Sequence, residues 1–412
     1  MKRIEKKELE VVVLMFLILF AFKYLFINNY RDAGPEPHFS FLADSFLHGK
    51  TYLLEYPENH PSSLTDVVSW GNRYYWPEGP FPAVLLMPFV LMSGIFGVLF
   101  HQAYLQFFLT ILVFLVFFRL GRKLGYSVLE SWYIAAAFCF GSMFIGTALV
   151  GMSWYFSQIT AVLLFSLALL EYFGKKRWWL IGTLFGLLLL TRMTAALGII
   201  FFILDILPGD PSRKKKLLVS LLVPVLASFC LLAAYNYARF NNPFEQGYSV
   251  CALGDPNDGT VNALEANRAL GLFSPIHLPA NLYHMLLAGP QPVFGEGGSH
   301  ILEFPYFKLN PWGMSIFMTS PWLIYLFFLS YRDGFSKRSW LAIVLIALPI
   351  IFYYGIGYVQ FGYRYALDFM PLMSVLLFKN YREQRGQLSR TFKALIIVSA
   401  AFNFYLLLPY II

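Results

Sequence analysis

Charge is what this sequence has least of. Only 13% of its 412 residues are Asp, Glu, Lys or Arg, about half the share that soluble domains carry, while 58% are hydrophobic. That balance excludes an ordinary soluble domain. Cysteine is scarce as well: Cys139 and Cys230 lie in apolar runs and Cys251 stands alone in a loop, so no disulfide framework is available. There is no phosphate-binding P-loop, no Gly-x-Ser-x-Gly elbow and no dinucleotide fingerprint, which removes the common soluble enzyme classes. No internal repeat or low-complexity tract is evident.

Apolar runs fill the chain instead. They recur from residue 11 to residue 412, each near the ~20 residues a helix needs to cross the hydrocarbon core of a bilayer. The expected fold class is all-α: one polytopic integral membrane helix bundle over residues 1–412, with about 10–12 transmembrane helices. The first run, Val11 to Ile27, follows the basic Lys2 to Lys7 with no small-residue cleavage site after it, and so reads as a retained span. Further spans are expected near residues 128–150, 156–173, 178–208 (one long helix or two short ones), 217–237, 313–331, 339–356, 366–379 and 394–411.

The net charge of +8 falls in short clusters beside these spans: Lys2 to Lys7, Arg119 to Lys123, Lys175 to Arg177, Arg213 to Lys216, Arg332 to Arg338 and Arg382 to Lys393. That is the positive-inside pattern rather than a nucleic-acid patch. It predicts a cytoplasmic N-terminus and two large external loops, at about residues 28–79 and 238–312; the membrane is expected to be the cell membrane of a prokaryote. One stretch breaks the parity. Two full crossings between Pro80 and Phe118 would place Arg119 to Lys123 outside; either part of that stretch is short or re-entrant, as Pro82, Pro88, Gly94 and Gly97 permit, or the charge rule fails there. Pro275 to Leu287 reads as a short amphipathic helix on the membrane surface, narrowing access to a site beneath it.

Polarity is concentrated in the first loop. Between Arg31 and Pro82 stand Asp32, Glu36, Asp44, Glu55, Glu58, Asp66 and Glu78, with His38, His48 and His60. An exposed loop acid is usually a solvated surface group, whereas a positioned one acts as a general base worth about 10²- to 10⁴-fold. Glu36, Asp32, Asp66 and Glu78 are the candidate catalytic residues. Arg192 lies inside the apolar run Leu187 to Ile200, where a charge costs about 2.5 to 3.5 kcal/mol unless it is paired or lines a cavity. Arg364 precedes Asp368 by one helical turn, so the two either pair on one face or leave Arg364 for an anion. Arg239 follows the span that opens the second loop. The loop aromatics Tyr74, Tyr75, Trp76 and Trp312 suit either interfacial anchoring or sugar stacking. His38, His48, His277, His284 and His300 show no tight ligand spacing; no metal site or cofactor is assigned, and a divalent metal held with the acids stays open.

Three segments of the first loop share one pattern: Pro35-Glu36-Pro37-His38-Phe39, then His48-Gly49-Lys50-Thr51-Tyr52-Leu53, then Gly71-Asn72-Arg73-Tyr74-Tyr75 with Gly79-Pro80. This layout resembles the GT-C glycosyltransferases of the protein O-mannosyltransferase and lipid A aminoarabinose transferase type. Weaker likeness continues through Leu190-Thr191-Arg192, the stretch from Tyr235 to Phe240 leading to Glu245-Gln246-Gly247-Tyr248, and Gly362-Tyr363-Arg364-Tyr365. Pro35 stands where the family has the first acid of its Asp-Glu pair, leaving Glu36 as the matching acid and Asp32 nearby; Glu78 lies near the family's second acid. The resemblance implies transfer of a sugar, with inversion, from a polyprenyl-phosphate donor to a hydroxyl of a lipid, glycan or protein acceptor at the external face. The anionic leaving group calls for cations, so Arg192, Arg364, Arg239 and Arg73, with His38, Tyr74 and Tyr75, are the candidate substrate-binding residues. The rival reading is a transporter or flippase of a lipid-linked anion with Arg192 and Arg364 lining its path. Transporters place polar groups on broken helices in repeated halves, whereas this chain puts its polarity in two loops and has no halves.

Overall fold

The computed structural model describes residues 37–54, 66–249, 251, 259–295 and 300–408. In chain order these comprise helix α1 (His38–Leu47), the strands β1 (Val68–Trp70) and β2 (Arg73–Tyr75), then α2 (Phe81–Gly94), α3 (Gln102–Lys123), α4 (Val128–Cys139), α5 (Phe144–Leu149), α6 (Ser153–Tyr172), α7 (Trp178–Leu189), α8 (Met193–Ala196), α9 (Ile199–Ile206) and α10 (Pro211–Phe240). There follow α11 (Gly259–Ala269), a 3-10 turn (Pro275–His277), α12 (Leu278–Leu286), β3 (Gln291–Phe294), β4 (Leu302–Lys308), α13 (Ile316–Thr319) and a 3-10 run (Pro321–Phe328). The chain continues with α14 (Gly334–Phe352), a second 3-10 run (Arg364–Asp368), α15 (Met370–Arg385) and α16 (Arg390–Leu407). Helix dominates, as expected. Two short antiparallel hairpins, β1 with β2 and β3 with β4, are additions that the apolar pattern does not announce.

Among the described residues, five helices, α3, α6, α10, α14 and α16, are long and apolar enough to cross a membrane. Three expected spans are broken instead. The stretch 128–150 divides into α4 and α5, 178–208 into α7, α8 and α9, and 313–331 into α13 and a 3-10 run. Breaks inside an apolar bundle require partners for the freed backbone groups. Asn403 of α16 supplies them for two breaks at once, donating to the carbonyls of Phe140 (2.9 Å), Ser142 (3.3 Å) and Thr319 (2.9 Å). Elsewhere small residues let helices touch: a Cβ on Gly182 would lie 2.1 Å from the Leu221 carbonyl oxygen, and one on Gly186 would lie 2.4 Å from Ser228 Oγ. This Gly-x-x-x-Gly face of α7 thus seats α10 at backbone contact.

The basic clusters among the described residues gather at one end of the bundle. Arg338 and Lys176 both reach Asp205, at 2.7 and 3.7 Å. Lys379 approaches Asp333 at 4.0 Å, Arg382 lies 5.5 Å from the Tyr126 ring centre, and Arg122 donates to the Tyr126 carbonyl. Both loops lie at the opposite end. There α2, only 14 residues and about 21 Å long, goes out and comes back without crossing. Its first amide, Phe81, donates to the Leu190 carbonyl (3.0 Å), and the residue opening α3, Gln102, bonds Ser40 (3.0 Å) and Phe39 (3.2 Å) of α1. The chain thus leaves and re-enters at the loop end between Phe81 and Gln102, and Arg119 to Lys123 lies at the far end of α3.

Candidate active site

The site begins at Trp76, fully buried and stacked on His38 with ring centres 4.2 Å apart. Three residues on, Gly79 passes so close to the end of α7 that a Cβ there would lie 2.1 Å from the Leu190 carbonyl oxygen. Only glycine permits that approach. It brings Glu78 against Arg192, the residue at the break between α7 and α8.

Arg192 grips Asp368 with two bonds, Nε to Oδ1 at 2.8 Å and Nη2 to Oδ2 at 3.2 Å, and reaches Glu78 Oε1 through Nη1 at 3.3 Å. The Thr194 hydroxyl also donates to Asp368. Glu78 and Asp368 are each 2% exposed, so one guanidinium serves two buried carboxylates. Opposed effects act on Glu78: burial raises its pKa and Arg192 lowers it. Burial wins, pushing the group up to about 8. The nearby Asp368 carboxylate adds to the rise, while Arg364 opposes it.

The alternative of an Arg364 to Asp368 pair is overturned. Residues 364–368 form a 3-10 run, in which positions three apart eclipse and positions four apart do not. Asp368 therefore turns to Arg192. Arg364, 6% exposed, donates to Gln158 and the Tyr365 hydroxyl, both at 3.5 Å, lies by the rings of Tyr365 (4.8 Å) and Tyr155 (5.3 Å), and acts through space on Glu78 and Asp66. It makes no salt bridge among the described residues, and its Nε has no hydrogen-bond partner.

Beside these charges lies a cavity of about 360 Å³ walled by Glu78, Arg192, Trp154, Tyr248, Tyr353 and Tyr365, within the ~300–1,000 Å³ usual for ligand sites. Both long loops contribute to it, the first through Glu78 and Gly79 and the second through the segment from Phe244 to Ser249. Trp154 also donates from Nε1 to Asp66 Oδ2 at 2.7 Å, placing that acid one ring behind the cavity wall. Burial raises the Asp66 carboxyl above the ordinary range, opposed by the Trp154 bond and by His38 and Arg364.

The other expected site residues have supporting places. His38 backs Trp76, with Nδ1 3.2 Å from Ser153 Oγ. Arg73 is exposed and covers the Tyr52 ring at 4.4 Å. Tyr75 packs on Phe240 at 5.2 Å, and the Tyr74 carbonyl accepts from Leu53 N at 2.9 Å. Arg239 is buried beneath the cavity wall rather than lining it. Glu36 and Asp32 lie outside the described residues. Among the described residues no three of His, Cys, Asp or Glu come together as a metal site; His277 Nε2, for one, meets the Gly271 carbonyl at 2.9 Å. Sequence reasoning missed Trp154 and the role of Asp368. Tyr248 was visible only as part of the Glu245-Gln246-Gly247-Tyr248 segment.

No protein-family model and no curated protein matches this sequence. Among solved structures, the chain is similar to the Archaeoglobus fulgidus oligosaccharyltransferase in the apo form, at 14% identity over 96% of this chain and 55% of that one, with a TM-score of 0.44. It is similar also to that enzyme tethered to an acceptor peptide containing the NVT sequon (15%, 96% and 54%, TM-score 0.44). A third likeness is to archaeal oligosaccharyltransferase AglB in complex with an inhibitory peptide and a dolichol-phosphate (15%, 95% and 55%, TM-score 0.40). The chain spans about half the length of these structures.

Proposed function

We propose that this chain is a membrane glycosyltransferase that moves a sugar from a polyprenyl-phosphate donor to an acceptor hydroxyl, on the membrane face opposite the basic clusters. The observation that carries the reading is a buried carboxylate and guanidinium, Glu78 and Arg192, side by side in the wall of an aromatic cavity at the loop end of an apolar bundle. Glu78 takes the proton of the acceptor hydroxyl, whose oxygen forms a bond to the anomeric carbon as the bond from that carbon to the phosphate oxygen breaks. A single displacement of this kind inverts the anomeric centre. The departing polyprenyl phosphate keeps the electron pair, and its charge is met by Arg192, the arginine in the cavity wall, with Arg364 adding positive charge from behind the Tyr365 ring. The sugar rests against the rings of Trp154, Tyr248 and Tyr365. Glu36 and Asp32, the acids favoured by the motif, remain rivals to Glu78 for the proton.

The broken stretch from Leu190 to Gly198, with its buried Arg192, also fits a transporter of a lipid-linked anion. Native mass spectrometry with a polyprenyl-phosphate hexose tests the shared requirement: wild type retains the lipid and Arg192→Lys, which loses the bidentate fork, retains less. Failure of wild type to retain it overturns both readings. Where wild type retains it, flux across liposomes without transfer would select the transporter.

A further inference from the structure

Two polar side chains near the end of α10 have no part in the chemistry above, yet each is bonded to one wall of the cavity. Arg239, 4% exposed, donates from Nη1 to the Trp76 carbonyl at 2.8 Å and from Nη2 to Asn236 Oδ1 at 2.6 Å. Asn236, 2% exposed and one turn earlier, donates from Nδ2 to the Pro243 carbonyl at 3.2 Å. Trp76 stands two residues before Glu78 in the first loop. Pro243 immediately precedes the segment from Phe244 to Ser249 in the second. The bonded series Trp76, Arg239, Asn236, Pro243 therefore spans the two walls from beneath.

We infer that Asn236 and Arg239 form a clasp that sets the spacing of the two walls, and that Arg239 is a positioning residue for Glu78 and not a ligand of the donor phosphate. Access decides against phosphate. The Arg239 guanidinium lies 4.0 Å from the Tyr235 ring centre and 4.7 Å from that of Phe240, both terminal nitrogens are bonded within the protein, and the side chain does not line the cavity. An incoming anion would have to break the tie to Trp76 first. The tie itself matters because Gly79 tolerates no slack against Leu190: a shift at Trp76 is transmitted through Pro77 directly to Glu78. A guanidinium suits the task better than an ammonium, since its planar fork serves two acceptors in fixed directions.

The role assigned to Glu78 rests on the transferase reading, whereas the clasp can be measured without substrate. The infrared band of the Glu78 carboxyl, isolated as the difference between wild type and Glu78→Gln, is titrated in the intact protein with Arg239 unchanged and with Arg239→Gln. Loosening the wall admits water, so the midpoint should fall in Arg239→Gln by at least about one pH unit, a tenfold change in the ionisation equilibrium. Arg239→Lys, which keeps a donor for the Trp76 carbonyl, should shift it less and serves alone if the glutamine variant does not fold. An unchanged midpoint in the variants overturns the clasp, even if transfer falls. A shifted midpoint in a protein that transfers no sugar leaves the clasp standing and removes the transferase reading. Where transfer is measurable, kcat should fall about tenfold at constant donor KM, and Arg239→Gln should add little on top of Glu78→Gln. A raised KM at constant kcat would return Arg239 to the phosphate and overturn the inference.

Discussion

Arg192 lines the cavity and Arg364 lies buried behind its wall, and their partners make them opposites. Arg192 neutralises Glu78 and Asp368; replacing it by Leu strands two buried carboxylates, and removing one partner of a buried pair costs about 3 to 5 kcal/mol. Arg364 makes no salt bridge among the described residues and acts on Glu78 and Asp66 only through space, so Arg364→Leu should cost the empty protein clearly less stability than Arg192→Leu. Thermal unfolding in detergent separates them, and equal losses in the two variants would contradict the pairing. Glu78 adds a pH dependence. A base must be ionised to accept a proton, and burial holds this one up to about 8, so turnover should climb as the pH passes through about 8 and level off above it. Stability runs the other way: the folded value lies above that of an unfolded Glu, so the neutral form is the one the fold favours. That contribution is complete at low pH, below the unfolded value, and is lost as the pH rises through about 8. A pH-rate profile flat across that range would remove Glu78 as the base. In the sequence, Arg192 was legible as a costly charge in an apolar run. Its partners were not, because Asp368 lies in a 3-10 run whose register no periodicity announces and Glu78 looks like any other loop acid.

Helices and their interruptions carry the site more than the loops do. The apolar pattern located the runs, and α6, α10, α14 and α16 fall close to where it put them. It could not see the breaks, since what permits them is remote: Asn403 lies more than 250 residues along the chain from the Phe140 carbonyl it satisfies. The option of two short helices at 178–208 came nearest, and that break is the one that places Arg192. The amphipathic segment at Pro275 to Leu287 is helical as expected; Asn281 is its buried anchor, donating to the Ile351 and Tyr353 carbonyls at 3.1 and 2.8 Å, while Ile276, Tyr283 and Leu287 stay exposed. The junction between α7 and the first loop gives a prediction at this scale. Gly79→Ala places a methyl 2.1 Å from the Leu190 carbonyl oxygen, a backbone atom that cannot rotate away. The loop must lift, Phe81 N loses its acceptor, and Glu78 leaves Arg192. Transfer should fall at least about tenfold with a clear loss of thermal stability; wild-type transfer in this variant would mean that the approach of loop to helix break is dispensable.

The molecule as a whole is a bundle with two unlike ends. Basic clusters mark one end, and at the other the two long loops close over a cavity where Glu78, Arg192 and Asp368 meet. The separation was legible from the spacing of Lys and Arg alone; the parity was not, because a helix of 14 residues that turns back has the same composition as one that crosses. Polarity in two loops suggested a common site, and both line the cavity, with His38 behind Trp76, Tyr75 against Phe240 and Arg239 under the wall. Transfer at Glu78 can be measured directly. Purified protein in lipid, given a radiolabelled polyprenyl-phosphate hexose and a panel of lipid, glycan and peptide acceptors, should yield an inverted glycoside, with the rate in Glu78→Gln at least about 10²-fold lower and donor retention unchanged. Transfer at the wild-type rate in Glu78→Gln, or an active enzyme silenced instead by Glu36→Gln or Asp32→Asn alone, would contradict it.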